Sequence, residues 1–337
     1  MYQLQFNPAA MTHKSTQIVQ SIVADIERGT LRHGERLPSL CQLSTEYEVG
    51  RDTVERAYRT LKAQGHCTSR QGSGYYVQAP APAKLRVLLI FNTLSSCNKE
   101  VYYAFLEALG DQAKVDLQIH HYSSRCLRQI LEQNLGHYNC YVVMPHFAPA
   151  EKLADCQAAL TLVPASQLVL LDKNMPSLAA NCLRVFQDFN RDIFAALEDL
   201  RDLLAKYQRL VLVLPNGQNS YPDEISWGFR TFCLMHQLVY AVQCSDARET
   251  PRCATAYITV ETTDLAELIK EARHQAYILG ADIGLLSFNE TPLKELLDIT
   301  VITTDFEAMG RTTAQLLLAK KQVTVRNPFY TIRRTSL

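Results

Sequence analysis

No stretch of this sequence reaches the roughly 18 consecutive apolar residues that a membrane-spanning helix needs. Its first residues, MYQLQFNPAA, lack the basic segment and following apolar segment of a secretory leader. Both absences argue against a membrane or secreted protein. A surplus of charge is missing too. Lys+Arg and Asp+Glu stand at 34 each, so net charge neither suggests nor excludes a nucleic-acid partner, and only its distribution is informative. None of the ten cysteines forms a C-x-x-C pair, and no Cys/His cluster has zinc-finger spacing. Most lie within apolar runs, as Cys140 does before YVVM and Cys244 after LVYAVQ. They read as reduced core thiols of a cytoplasmic protein, with no metal site expected. Also absent are a G-x-G-x-x-G turn after the first strand of the larger region, a Walker A loop, a G-x-S-x-G elbow and an H-E-x-x-H helix. No cofactor and no catalytic residue is therefore assigned.

Hydrophobic residues make up 47% of the 337 positions and charged residues 20%, enough apolar side chain for a buried core and a length that suits two or three domains. The sharpest boundary is QAPAPAK, from Gln78 to Lys84, where proline removes backbone donors and favours extended chain. It predicts a first domain over 1–78, a short linker over 79–84 and a larger domain over 85–337. Past the linker, Val/Ile/Leu-rich runs alternate with amphipathic stretches: RVLLIFN (86–92), VDLQIHHY (115–122), CYVVMPH (140–146), LVLLD (168–172), RLVLVLP (209–215), LVYAVQC (238–244), AYITV (256–260), DIGLLSF (282–288) and VITT (301–304). Nearly continuous apolar strands separated by helices indicate parallel sheets covered on both faces. The larger domain is expected to be α/β, in two doubly wound lobes of similar size.

The first domain carries nine basic residues against seven acidic ones over 1–78, a mild excess. Ile18, Ile22, Val23 and Ile26 share one helical face, and Gly29 stops that helix. Ser39, followed three residues later by Gln42, gives the capping-box spacing that starts a short second helix. After the turn EVG, Val54, Ala57, Tyr58 and Leu61 repeat at helical spacing and leave Arg51, Asp52, Glu55, Arg59 and Lys62 on the outer face. HCTSRQGSGYYV then reads as two short strands around a glycine-rich tip beside Arg70. Helix, helix-turn-helix and hairpin in this order form a winged helix, whose glycines allow close backbone approach to phosphates and whose arginine supplies attraction.

This string resembles the GntR family of bacterial regulators over nearly all of residues 14–77: RLPS at 36–39, then Val49, Arg51, Thr53 and Val54, then Arg59, Leu61 and Gly65, then the wing RQGSGYYV. The resemblance implies a sequence-specific regulator that binds double-stranded operator DNA. Arg51 and Thr53 would touch bases or phosphates, and the wing near Arg70 to Gly72 would approach the minor groove. The candidate DNA-contact residues are Ser39, Arg51, Asp52, Thr53, Arg56, Arg70, Gln71 and Gly72. Cys41 and Glu55 stand where the family often carries basic residues.

The tail over 280–318 is similar to the periplasmic-binding-protein-like sensor of the LacI/GalR regulators, through Gly280, Asp282 and Ile283, the loop Phe288-Asn289-Glu290, and then Thr300, Ile302, Asp305, Phe306 and Gly310. Val185-Phe186-Gln187-Asp188 and Trp227-Gly228-Phe229 are further echoes, while Ile225 replaces the arginine usual three residues before that glycine. The resemblance implies a homodimer and a cleft at strand ends that takes a small effector, a monosaccharide or sugar phosphate. The candidate effector contacts are Ser95, Ser96, His146, Asp172, Trp227, Asp264, Asn289 and Thr304. The fold expected is thus an N-terminal winged helix-turn-helix followed by a two-lobed periplasmic-binding-protein-like α/β domain. The function expected is ligand-controlled transcription regulation without catalysis. Two alternatives stay open: a DNA-binding head fused to a sugar-metabolising α/β enzyme domain, and a constitutive regulator whose large domain only dimerises.

Overall fold

In the computed structural model the described residues are 13–70, 72–78, 84–178, 181–215 and 223–337. The chain divides into two compact units, residues 1–84 and 85–337. Residues 79–83 of the expected linker lie outside the described set.

The smaller unit consists of α1 (Lys14–Glu27), α2 (Leu40–Glu46), α3 (Arg51–Ala63), β1 (Cys67–Arg70) and β2 (Gly74–Val77). Its core joins Ile18 and Ile22 of α1 and Leu43 of α2 to Val54, Ala57, Tyr58 and Leu61 of α3. The last four recur at helical spacing and make one buried stripe. Both halves of the capping box are present: the Ser39 hydroxyl accepts from the Gln42 N–H, and the Ser39 N–H donates to the Gln42 side chain. Such a cap contributes about 1 kcal/mol. The Tyr58 hydroxyl donates to the Pro38 carbonyl at 2.8 Å, tying α3 to the turn before α2. β1 and β2 pair antiparallel, Cys67 opposite Val77 and Arg70 opposite Gly74.

The first lobe of the larger unit begins with β3 (Leu85–Phe91), α4 (Ser96–Leu109), β4 (Ala113–Ile119), α5 (Ser124–Asn134), β5 (Cys140–Val143), α6 (Leu153–Leu160), β6 (Leu168–Lys173) and β7 (Leu183–Gln187). The second lobe comprises α7 (Phe189–Asp199), α8 (Arg201–Leu204), β8 (Arg209–Leu214), α9 (Asp223–Met235), β9 (Val239–Cys244), β10 (Thr255–Thr259), α10 (Thr262–His274), β11 (Ile283–Phe288), α11 (Pro292–Leu296) and β12 (Thr300–Thr304). α12 (Phe306–Leu318) and β13 (Thr324–Arg326) return to the first lobe, and β14 (Phe329–Ile332) ends in the second.

Each lobe is a six-stranded sheet, ordered β13-β7-β6-β5-β3-β4 and β14-β12-β11-β10-β8-β9. Every pairing is parallel except β12 with β14. β10, β11 and β12 are buried at every residue, as strands covered on both faces must be.

Three strands of the larger unit depart from the sequence reading. Leu183–Gln187 is a full strand, and the short β13 and β14 had no counterpart in the expected strands. The helix after Asp305 belongs to the first lobe, because its apolar face, Met309, Ala314 and Leu317, packs into the cluster of β3, β5 and β6. Two glycines from the echo motifs mark helix crossings. A Cβ on Gly310 of α12 would lie 2.3 Å from the Val101 carbonyl of α4, and one on Gly228 of α9 would lie 2.2 Å from the Asn190 carbonyl of α7. Neither site has room for a side chain.

The chain crosses between lobes after β7, after β12 and between β13 and β14. Asn327 binds these crossings together. Its N–H donates to Phe186 O at 2.8 Å, and its side-chain amide donates to Thr304 Oγ1 and to Asp305 O, each at 2.8 Å. Thr304 Oγ1 in turn donates to Pro328 O at 3.1 Å.

Candidate nucleic-acid interface and ligand cleft

In the smaller unit, α3 starts directly after Gly50, so Arg51 and Asp52 stand in its first turn, both exposed, with Thr53 half-buried behind them and Arg56 exposed one turn on. Arg59 is paired with Glu55 at 2.6 Å, and the Lys62 ammonium donates to Ser69 Oγ at 2.7 Å, fixing the hairpin to the end of α3. Arg51 and Arg56 have no ion-pair partner among the described residues. An exposed pair such as Arg59–Glu55 is worth only about 0.3–0.5 kcal/mol, so it opens readily toward a phosphate. Ser39 is occupied in the capping box. On the hairpin, the Arg70 guanidinium lies 4.6 Å from the centre of the Tyr76 ring, and Gly72 holds φ +72° at the tip. Gln71 lies outside the described residues. Arg36, within the RLPS motif, is exposed, and its Nε lies 3.3 Å from where a Gly74 Cβ would stand. It supplies a second guanidinium at the hairpin.

The larger unit holds a cavity of about 250 Å³ at the carboxyl ends of its strands, lined from both lobes. Five of the eight candidate effector residues line it: Ser95, Ser96, His146, Asp172 and Asn289. Three do not. Trp227 is 56% exposed on α9, whose Ile225, two residues earlier, is the residue that reaches the cavity. Asp264 is buried in the first turn of α10 and accepts the Ser245 hydroxyl at 2.9 Å. Thr304 is consumed by the hinge bonds to Asn327 and Pro328.

Asp172 is the centre of the polar wall. Its Oδ2 faces His146 Nε2 at 2.6 Å, and its Oδ1 accepts from the Gln187 amide at 2.5 Å. Burial by itself would raise this carboxyl, but hydrogen bonding and charge from His146, then Gln187 and Lys173, hold it below the usual range. Asn98 donates to Asn92 Oδ1 at 3.3 Å and to Thr93 O at 2.9 Å, and the Ser95 hydroxyl caps α4 by accepting the Asn98 N–H.

Across the cleft, Lys294 is 1% exposed, and its ammonium donates to Phe288 O at 2.5 Å and Asn289 O at 3.0 Å. Burial lowers it to about 8 against the opposing pull of Cys97, Glu290 and Glu261. Burial likewise pushes the Cys97 thiol up to about 11, so at neutral pH it is not a thiolate nucleophile.

Three lining residues, Tyr122, Asp172 and Asn289, hold φ of +60°, +72° and +63°. Left-handed backbone at non-glycine residues costs on the order of 1 kcal/mol each and persists where surrounding contacts impose it, often at ligand sites. Phe189, Phe288 and Phe306 supply apolar faces. Among the described residues no serine hydroxyl bonds to His146, and no group of three His, Cys, Asp or Glu could hold a metal.

Sequence reasoning missed Tyr122, Gln187, Glu261 and Lys294. Gln187 sat within a recognised motif. Lys294 gave no signal, because its helix has only five residues and a lysine is rarely buried.

Residues 14–77 match the family "Bacterial regulatory proteins, gntR family". The regulator YjiR of Escherichia coli K12 is 44% identical over 66 residues, 18% of this chain and 14% of YjiR. The chain thus spans only a small part of that relative. Among solved structures, a dimeric Lac repressor superposes with a TM-score of 0.59 at 14% identity, over 75% of this chain and 98% of its own. The transcriptional regulator CelR in complex with cellobiose gives 0.59 at 14%, over 89% and 100%. Residues 14–77 are therefore a winged helix-turn-helix of the GntR family, and the chain carries with it the two-lobed fold of the LacI-type regulators.

Proposed function

We propose that the protein is a DNA-binding transcription regulator whose operator affinity is set by a neutral monosaccharide held in the cleft. The single observation that carries this reading is the cavity at the strand ends of both lobes, where amides, carboxylates and hydroxyls converge over three phenylalanines. That combination suits a polyol: oxygen-rich edges meet fixed acceptors and donors, and apolar ring faces meet aromatic rings. The comparison with CelR, solved with the disaccharide cellobiose, supports a neutral sugar as the ligand class. Lys294 is the one Lys or Arg among the described lining residues, and it is committed to two backbone carbonyls, while Ile225 stands where an arginine is usual. This favours an uncharged sugar over a sugar phosphate. Ser95, Ser96, His146, Asp172 and Asn289 are the proposed contacts, joined by Asn92, Gln187 and Glu261.

The chain acts as a homodimer in the cytoplasm, as the dimeric Lac repressor comparison favours; no helix among the described residues is long and apolar enough to cross a membrane. Two heads reach a twofold operator through Arg51, Thr53 and Arg56 of α3, with Ser39 and Asp52 beside them and Arg70, Gln71 and Gly72 on the wing. Sugar binding favours one arrangement of the lobes about the Asn327 hinge. The coupling to DNA equals the sugar's differential affinity for the two arrangements. Thermal shift with a panel of neutral sugars and their phosphates, followed by operator gel shifts, tests the reading. A neutral sugar that stabilises the protein, changes operator affinity and is recovered unconsumed supports it, whereas turnover of the sugar or binding only of phosphates contradicts it.

A further inference from the structure

We propose that a second small-molecule site, for a small organic ammonium ion, lies at the hinge, distinct from the cleft. A separate cavity of about 290 Å³ is lined by Asp192, Ala195, Ala196 and Asp199 of α7, Arg326 of β13, and Phe329, Tyr330 and Thr331 of β14. None of these residues lines the cleft cavity.

The lining spans both lobes across the third crossing, since β13 belongs to the first sheet and β14 to the second. Asp192 is 1% exposed, and its Oδ1 takes both Arg326 Nε at 3.0 Å and Arg326 Nη2 at 2.5 Å. Its Oδ2 is buried with no hydrogen-bond partner. A buried carboxylate one donor short is costly, and a ligand N–H that competes with Arg326 for this carboxylate would supply the missing donor.

The charge balance selects the sign of that ligand. Two carboxylates, Asp192 and Asp199, face one guanidinium, Arg326. Including the neighbouring Arg333, which pairs with Asp202 at 2.8 Å and reaches Asp199 at 4.0 Å, leaves the same excess of one negative charge once Asp202 is counted. An anion is repelled, and a neutral molecule leaves the excess uncompensated. A monocation offsets it, and the half-exposed Tyr330 ring offers a further attractive face. Ala195, Ala196 and Phe329 leave room for a short hydrocarbon stem.

The site itself does not rest on the sugar-sensor reading, but its consequence does. Arg326–Asp192 is an ion pair between the lobes, so an ammonium that competes for Asp192 shifts the equilibrium of the hinge and couples this cavity to the cleft.

The test is calorimetric titration of the full chain with n-butylammonium, using n-butanol and butyrate as neutral and anionic controls at matched ionic strength. Saturable binding of butylammonium alone is expected. Ala195→Leu, at an exposed helix position, fills the cavity and should weaken binding at least tenfold; Tyr330→Ala, also at an exposed residue, should weaken it several-fold. Unchanged melting temperatures identify the variants that remain folded, and either variant alone suffices. Absence of saturation, equal binding of butanol, or binding indifferent to the folded variants overturns the site. Saturable binding that leaves operator affinity unchanged removes the link to the hinge while the site stands. Failure of every sugar in the cleft assays leaves this titration independent.

Discussion

The candidate contact groups of the smaller unit stand in solvent on one helix and one hairpin, whereas those of the larger unit are held in a cleft at the ends of strands from two lobes. Arg51 and Arg56 are exposed and unpaired among the described residues; Asp172, His146 and Lys294 each have fixed partners and are largely shielded from water. Physics treats the two differently. Exposed cations act on a polyanion through screened charge and counterion release, so their effects depend on salt. Shielded groups act through hydrogen bonds and desolvation, so theirs depend on pH and on the exact partner. One region should respond to ionic strength and the other to protonation.

The largest effect expected is on stability, in the larger unit alone. Lys294 titrates near 8 in the folded state against an ordinary 10.5. The unfolded chain therefore binds more protons between those values, and this group's contribution to stability rises as pH goes from about 8 to 10.5. Lys294→Met should remove that rise, about 3 kcal/mol at roughly 1.4 kcal/mol for each pH unit between the two values. Denaturant unfolding of wild type and variant at pH 7.5 and 10 measures it; parallel pH profiles would break the contrast.

Next comes Arg51→Ala, expected to weaken operator binding by about 1–3 kcal/mol, a loss of roughly fivefold to 150-fold, if it contacts a base. If it contacts a phosphate, the salt slope should instead fall by about one. An unaltered gel-shift titration across salt concentrations would remove Arg51 from the interface.

Asp172→Asn keeps the side-chain volume but loses the anion beside His146. Sugar affinity should drop about tenfold, as for one charged hydrogen bond, with sugar-free operator binding unchanged. The Asp172 carboxyl is depressed, so its contribution to stability is present above the ordinary carboxylate pKa of about 4 and is lost as pH falls through its folded value. Equal sugar affinity of wild type and Asp172→Asn would argue against a role for this carboxylate.

The smallest effect is a null one. Trp227→Phe should leave sugar affinity within about twofold, because the ring is exposed and outside the cavity lining. A large loss would restore Trp227 as an effector contact.

How much could be read from the sequence follows the same division. The winged helix was legible because each part is local: the Ser39–Gln42 cap, the 54, 57, 58 and 61 stripe and the glycine-bearing hairpin lie within forty residues, each with its own short-range rule. The central strands were legible because their burial on both faces requires unbroken apolar runs. The short β13 and β14 were not, since three or four residues show no period.

In the cleft, Asp172 and His146 were found as polar residues at strand ends, but the same rule also selected Thr304 and Asp264, which the structure engages in the hinge and in a helix's first turn. Only the three-dimensional neighbours distinguish these cases. Tyr122 and Lys294 reach the cavity through a left-handed backbone and a five-residue helix, and neither leaves a pattern in the sequence.

The most direct test of the central claim is operator affinity measured for the full chain and for residues 1–80 at matched salt, each with and without a neutral sugar that stabilises the protein. The full chain should bind more tightly than the isolated head, and the sugar should change only the full chain's affinity. Equal affinity of the two forms, or a full chain indifferent to a sugar it demonstrably binds, would contradict it.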